Sequence, residues 1–116
     1  MTNITIMHNP RCRKSRETLH LLETKGYTPE IFEYLKNLLN ESELREVSKK
    51  LGLRPKDFIR KNEAEFKENK LRESLENDDE LFKQMALHPK LIERPIVMYK
   101  DKAKIGRPPE QVLDLF

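Results

Sequence analysis

The chain has 116 residues, enough for one compact domain with a core of its own. Charged side chains make up 37% of it and apolar ones 36%, a balance that excludes disorder and describes a small core under a charged skin. The formal net charge is only +3, from 23 bases against 20 acids, so bulk charge leaves no nucleic-acid footprint and the question becomes where the arginines sit.

The first residues, Met1-Thr2-Asn3-Ile4-Thr5-Ile6, lack the basic start and long apolar stretch of a signal peptide. No segment approaches the ~20 apolar residues that span a bilayer. With one cysteine, no internal disulfide can form, and a cytoplasmic, reducing setting is expected.

Residues 3–7 alternate in polarity and predict a first strand, broken by His8-Asn9-Pro10. A helical pattern runs from Arg13 to Lys25, with Ser15, Leu19 and Leu22 on one stripe and Gly26 as its stop. Glu30 to Leu35 reads as a second strand. Asn40 with Glu43 predicts a capping box for a helix carrying Leu44, Val47 and Leu51, ended by Gly52. Pro55 suits the first turn of a short helix holding Phe58 and Ile59. Residues 60–76 are densely charged, with Phe66 and Leu71 as sparse anchors. Asp78 or Asp79 is the expected cap of a helix with Leu81, Phe82 and Met85, which Pro89 ends.

Ile96–Tyr99 and Ala103–Ile105 predict a hairpin about a turn at residues 100–102. Pro108-Pro109-Glu110 opens a last helix with Val112, Leu115 and Phe116 inward. The order βαβ, then helices, then ββα, is the plan of a thioredoxin-like α/β fold with a mixed sheet. The expectation is a single domain over 1–116, with a helical insertion at about 36–90 between the two halves.

Cys12 falls just after the first strand, where the first helix begins. A helix start offers unpaired N–H groups and the positive end of the dipole, and both favour a thiolate. Arg11, Arg13, Lys14 and Arg16 add positive charge. Buried structural cysteines usually have apolar neighbours, so these surroundings are those of a reactive one. The same donors cradle a tetrahedral oxyanion, so the loop from His8 to Arg16 offers a nucleophile and an anion seat together.

The spacing Cys12-Arg13-Lys14-Ser15 is C-x-x-S, which excludes a dithiol cycle within the loop. Ser15 is either a hydrogen-bond donor to the sulfur or a bound oxyanion, or simply a helix-start residue. Pro95, just before a strand, stands where this fold plan carries a cis-proline beside the cysteine loop; the alternative is an ordinary trans proline. Arg60, Arg94 and Arg107 taken singly read as surface bases, although arginine is the residue suited to bidentate oxyanion binding.

Together, His8-Asn9-Pro10-Arg11-Cys12, Ser15-Arg16, Leu91-Ile92-Glu93-Arg94-Pro95-Ile96-Val97 and Gly106-Arg107-Pro108-Pro109 closely resemble the glutaredoxin-linked arsenate reductases over nearly the whole chain. The resemblance implies that Cys12 attacks arsenate, that Arg60, Arg94 and Arg107 grip the oxyanion, and that His8 tunes the thiolate. It implies a role in the site for Asn9, Arg16 and a cis Pro95. It also implies glutathione as co-substrate, glutaredoxin as partner and no bound cofactor or metal. The Arg-Cys-Arg-Lys-Ser-Arg run is similar to a chromosomal branch of that family, related in turn to Spx-type regulators that bind RNA polymerase.

Two other functions stay open: another glutathione-dependent thiol oxidoreductase, and a non-enzymatic Spx-like regulator. Such regulators commonly carry C-x-x-C, which this chain lacks. His8, His20 and His88 have no zinc spacing with the lone cysteine. There is no phosphate-binding glycine loop. The C-x5-R loop of small phosphatases would need arginine at position 18, which holds Thr18.

Overall fold

The computed structural model describes residues 3–116, so the leader reading at Met1 and Thr2 lies outside the described residues. The chain gathers into two compact units, one running to Asn37 and resuming over Arg94–Phe116, the other spanning Leu38–Glu93.

The first unit holds strands β1 (Ile4–Met7), β2 (Glu30–Phe32), β3 (Ile96–Tyr99) and β4 (Lys102–Ile105), helix α1 (Arg13–Thr24) and a closing 3-10 helix over Pro109–Leu115. The strand order is β2-β1-β3-β4, with β1 and β2 parallel and the other pairs antiparallel. This is the mixed sheet of the thioredoxin-like plan, with α1 as the crossover that joins two parallel strands. In the register Ile6 lies opposite Ile31 on one side and Val97 on the other. Strand alternation turns Ile4, Ile6 and Val97 into a core that α1 closes with Leu22 and the 3-10 helix closes with Val112 and Leu115. Each such side chain, fully buried, contributes about 1.5–3 kcal/mol.

The beginnings and ends of α1 follow the local chemistry. Cys12 has extended backbone angles at the N-cap, and Gly26, at φ 91°, takes the left-handed turn that releases the chain. β2, expected to reach Leu35, stops at Phe32. The amides of Lys36 and Asn37 donate to the Glu33 carbonyl, folding that segment into a turn, and Tyr34 is buried within it. β4 starts one residue early, at Lys102. The closing helix is 3-10 throughout, and Phe116 is 41% exposed, so it is only partly inward. Its ring stacks on Tyr27 at 4.4 Å and leans on Tyr99 at 5.0 Å.

The second unit is helical: α2 (Glu41–Leu51), α3 (Ala64–Glu68) and α4 (Asp78–Leu87), with 3-10 turns at Pro55–Asp57, Leu71–Ser74 and Pro89–Leu91. The capping box forms in both directions, Glu43 N–H donating to Asn40 Oδ1 at 2.8 Å and Asn40 N–H to Glu43 Oε1 at 3.0 Å. Gly52, at φ 68°, ends the helix. Leu44, Val47, Phe66, Leu71, Leu81, Phe82 and Met85 are buried as expected, whereas Leu51, expected on the same face as Leu44 and Val47, is only partly buried.

Two expectations for this unit are corrected. Phe58 and Ile59 are buried but lie beyond their short helix: the Phe58 amide makes the last 3-10 hydrogen bond, to the Pro55 carbonyl at 3.2 Å, and Ile59 turns to extended pairing with a bridge to Ile92. The cap of α4 is Asn77, whose side chain accepts from Glu80 N–H at 3.1 Å; Asp78 and Asp79 stand in the first turn, where their charges suit the dipole.

Candidate active site

Helix α1 begins on Cys12. The Cys12 carbonyl accepts the Arg16 amide at 3.0 Å, and the Cys12 N–H donates to the Asn9 carbonyl at 2.9 Å. The sulfur makes no capping bond, and the first turn of the helix carries no acid. The Sγ therefore meets the positive end of the helix without a competing carboxylate in that turn.

The loop is held by its own polar groups. Arg11 N–H donates to Asn9 Oδ1 at 3.0 Å, and Arg16 Nη1 donates to the Pro10 carbonyl at 3.0 Å. Ser15 is fully buried; its Oγ accepts the Asn9 N–H at 3.0 Å and shares a 2.6 Å hydrogen bond with His8 Nδ1. Ser15 thus serves the loop and the histidine, and its hydrogen bonds do not include the Cys12 sulfur. Asn9, Ser15 and Arg16 set the shape of the turn that presents Cys12.

Burial pushes His8 below its ordinary value of 6.5; the Glu33 carboxylate opposes the shift and the Arg16 charge adds to it. A neutral ring at neutral pH follows, with one nitrogen free to accept and the other to donate.

Arg107 Nη2 donates to Cys12 Sγ at 3.7 Å, and its Nε donates to the Arg94 carbonyl at 2.9 Å. Charge near the sulfur is thereby supplied from a residue 95 positions away in the chain. The Arg94–Pro95 bond is cis, as expected, and so is Arg107–Pro108, which no sequence feature announced. The Pro95 carbonyl accepts the Gly106 amide at 2.9 Å. Gly106 is required here: a Cβ would stand 2.5 Å from Thr18 Oγ1 and 2.9 Å from Pro95 Cγ. Thr18, buried and donating to the Lys14 carbonyl at 2.8 Å, is the helix residue against which this turn rests. His8, Asn9, Cys12, Ser15, Arg16, the Arg94 carbonyl, Pro95 and Arg107 are thus one connected set.

Arg60 belongs to the second unit. It is flanked by carboxylates, Glu63 at 3.2 Å and Glu93 at 3.7 Å, which offset its charge. Its amide donates to the Leu91 carbonyl at 2.7 Å, fixing its backbone. Among the described residues no three His, Cys, Asp or Glu side chains cluster as metal ligands, and no helix is long and apolar enough to cross a membrane. Sequence reasoning missed Thr18 and Glu33. A lone threonine inside a helix and a glutamate after a strand carry no signal until the chain is folded.

A family model for ArsC matches residues 7–115. The chain belongs to the ArsC family. It is 46% identical over 114 residues to an arsenate reductase from Haemophilus influenzae, covering 97% of this chain and 98% of that protein. An arsenate reductase from Acidiphilium multivorum is 39% identical over 115 residues, covering 99% of this chain and 82% of the relative. The solved arsenate reductase from Vibrio cholerae superposes with a TM-score of 0.96 at 46% identity, covering 99% and 98% of the two chains. ArsC membership agrees with the thioredoxin-like plan drawn from the element order, and with a single cysteine set at a helix start.

Proposed function

We propose that this chain reduces arsenate to arsenite, with Cys12 as nucleophile and glutathione as the second thiol. The observation that carries the reading is the Arg107 guanidinium 3.7 Å from a sulfur at a helix start, in a chain of this family. Arsenate docks on the first-turn amides of α1, Arg94 and Arg107; Arg60 joins them on the resemblance alone. Cys12 thiolate attacks arsenic, a sulfur–arsenic bond forms, and one arsenic–oxygen bond breaks as water leaves. The arginines stabilise charge on the remaining oxygens.

Glutathione thiolate then attacks the Cys12 sulfur. A disulfide forms, the sulfur–arsenic bond breaks, and its electron pair stays on arsenic, taking As(V) to As(III). Two thiols have given the two electrons. A glutaredoxin thiolate attacks the glutathione sulfur of the mixed disulfide and releases Cys12. No bound cofactor is needed.

His8, hydrogen-bonded to Ser15, orders the loop and tunes the thiolate. The chain acts as one thioredoxin-like domain in the cytoplasm. Arsenite formation from arsenate with glutathione and glutaredoxin tests the proposal, with Cys12→Ser expected to abolish it. No arsenite from the parent under those conditions overturns it.

A further inference from the structure

A single-cysteine mechanism needs its second thiol to arrive from solution and be held while it reacts. Beside the cysteine loop lies a cavity of about 240 Å3, walled by His8–Arg11 on one side and by Glu33, Leu35 and Lys36 on the other. We infer that this cavity is a subsite for glutathione, seating the amino-acid end of the tripeptide. The inference rests on the function proposed above and names the place where the co-substrate binds.

Charge is the first argument. Glutathione carries two carboxylates and one ammonium at neutral pH. The cavity presents the inverse set: the cations Arg11 and Lys36 and the anion Glu33. Glu33 and Lys36 lie side by side, Lys36 Nζ 3.5 Å from Glu33 Oε1, so an α-ammonium and an α-carboxylate on one carbon meet both partners at once. That ion pair is long and its lysine is 76% exposed, so opening it for a ligand costs little. Arg11, exposed on the wall next to Cys12, adds positive charge toward the glycine carboxylate, which stays outside the cavity with the thiol.

Size is the second. The volume is below the roughly 300 Å3 at which pockets begin to enclose a drug-sized ligand, which suits one end of a tripeptide with its thiol left outside. Pro10 and the exposed Leu35 give that end an apolar rest. Position is the third. Arg11 precedes Cys12 directly, and consecutive Cα atoms are about 3.8 Å apart, so a ligand touching Arg11 lies one residue from the cysteine.

The test uses S-methylglutathione, which cannot react, titrated into the full chain by calorimetry at pH 8, beside glutathione kinetics with saturating arsenate and glutaredoxin. Lys36→Ala and Glu33→Gln should each weaken S-methylglutathione binding about tenfold and raise the KM for glutathione alike, as loss of a charged hydrogen bond does. The KM for arsenate should stay at the parent value in Lys36→Ala, and Lys102→Ala, on β4, should change nothing. Binding and KM that both ignore Lys36 and Glu33 overturn the subsite, even if the parent reduces arsenate well. Binding that depends on both residues in a parent that makes no arsenite upholds the subsite and overturns only the reaction.

Discussion

Arg107 is held at one nitrogen by the Arg94 carbonyl and offers another to the Cys12 sulfur, so it is a charge placed by the fold. Replacing it with alanine should weaken oxyanion binding by roughly 1.5–3 kcal/mol, read as the inhibition constant of a competing tetrahedral anion. Iodoacetamide should also alkylate Cys12 more slowly at pH 7 in this variant. Arg107→Lys keeps the charge but loses the planar fork and should recover only part of the loss. Parent-like values in the alanine variant would remove Arg107 from the site. His8 allows a prediction in pH. Its folded-state value is lowered, chiefly by burial, so below about 6.5 the unfolded chain binds protons that the folded chain does not. The stability it contributes is complete above that pH and is lost as pH falls through the folded-state value. Urea midpoints at pH 7.5 and 5.5 should differ more in the parent than in His8→Gln.

The turn between β4 and the closing 3-10 helix connects α1, the cis Pro95 and Arg107, and Gly106 is its tightest point. Gly106→Ala places a methyl against Thr18 and Pro95 and should cost about 1–3 kcal/mol of stability. Adding Thr18→Ala removes the 2.5 Å and 3.2 Å contacts while leaving Pro95 at 2.9 Å, so the double variant should recover part of the loss. Strictly additive denaturation energies would mean that the turn adapts without Thr18. Elements set by neighbours in sequence were legible beforehand. The Asn40–Glu43 box needs three residues of spacing, and the glycine stops at Gly26 and Gly52 need only a left-handed angle. Elements set by pairing were not: β2 is cut short by a turn whose composition reads as strand, and Phe58 and Ile59 are apolar without being helical. Asn77 lost the reading to two aspartates beside it because Asn and Asp cap about equally well. The Cys12 loop was legible because a nucleophile, its helix start and its nearest bases are local. The link to Arg107 came only through family resemblance.

At the scale of the whole chain, one cysteine has to make the reaction intermolecular. After arsenate and glutathione without glutaredoxin, intact mass spectrometry should show one glutathione on the protein, mapped to Cys12 and removed when glutaredoxin is added. Repeated turnover with a reductant that is not a thiol would sink the scheme. The same solitary sulfhydryl turns the protein into its own gauge. A chromogenic disulfide titrating the folded chain should release one equivalent of dye in the resting state and none in the glutathionylated state, with no background thiol to subtract. In samples quenched and freed of glutathione and glutaredoxin, the dye signal would then count sites in each state, and no engineered label is needed to follow the cycle.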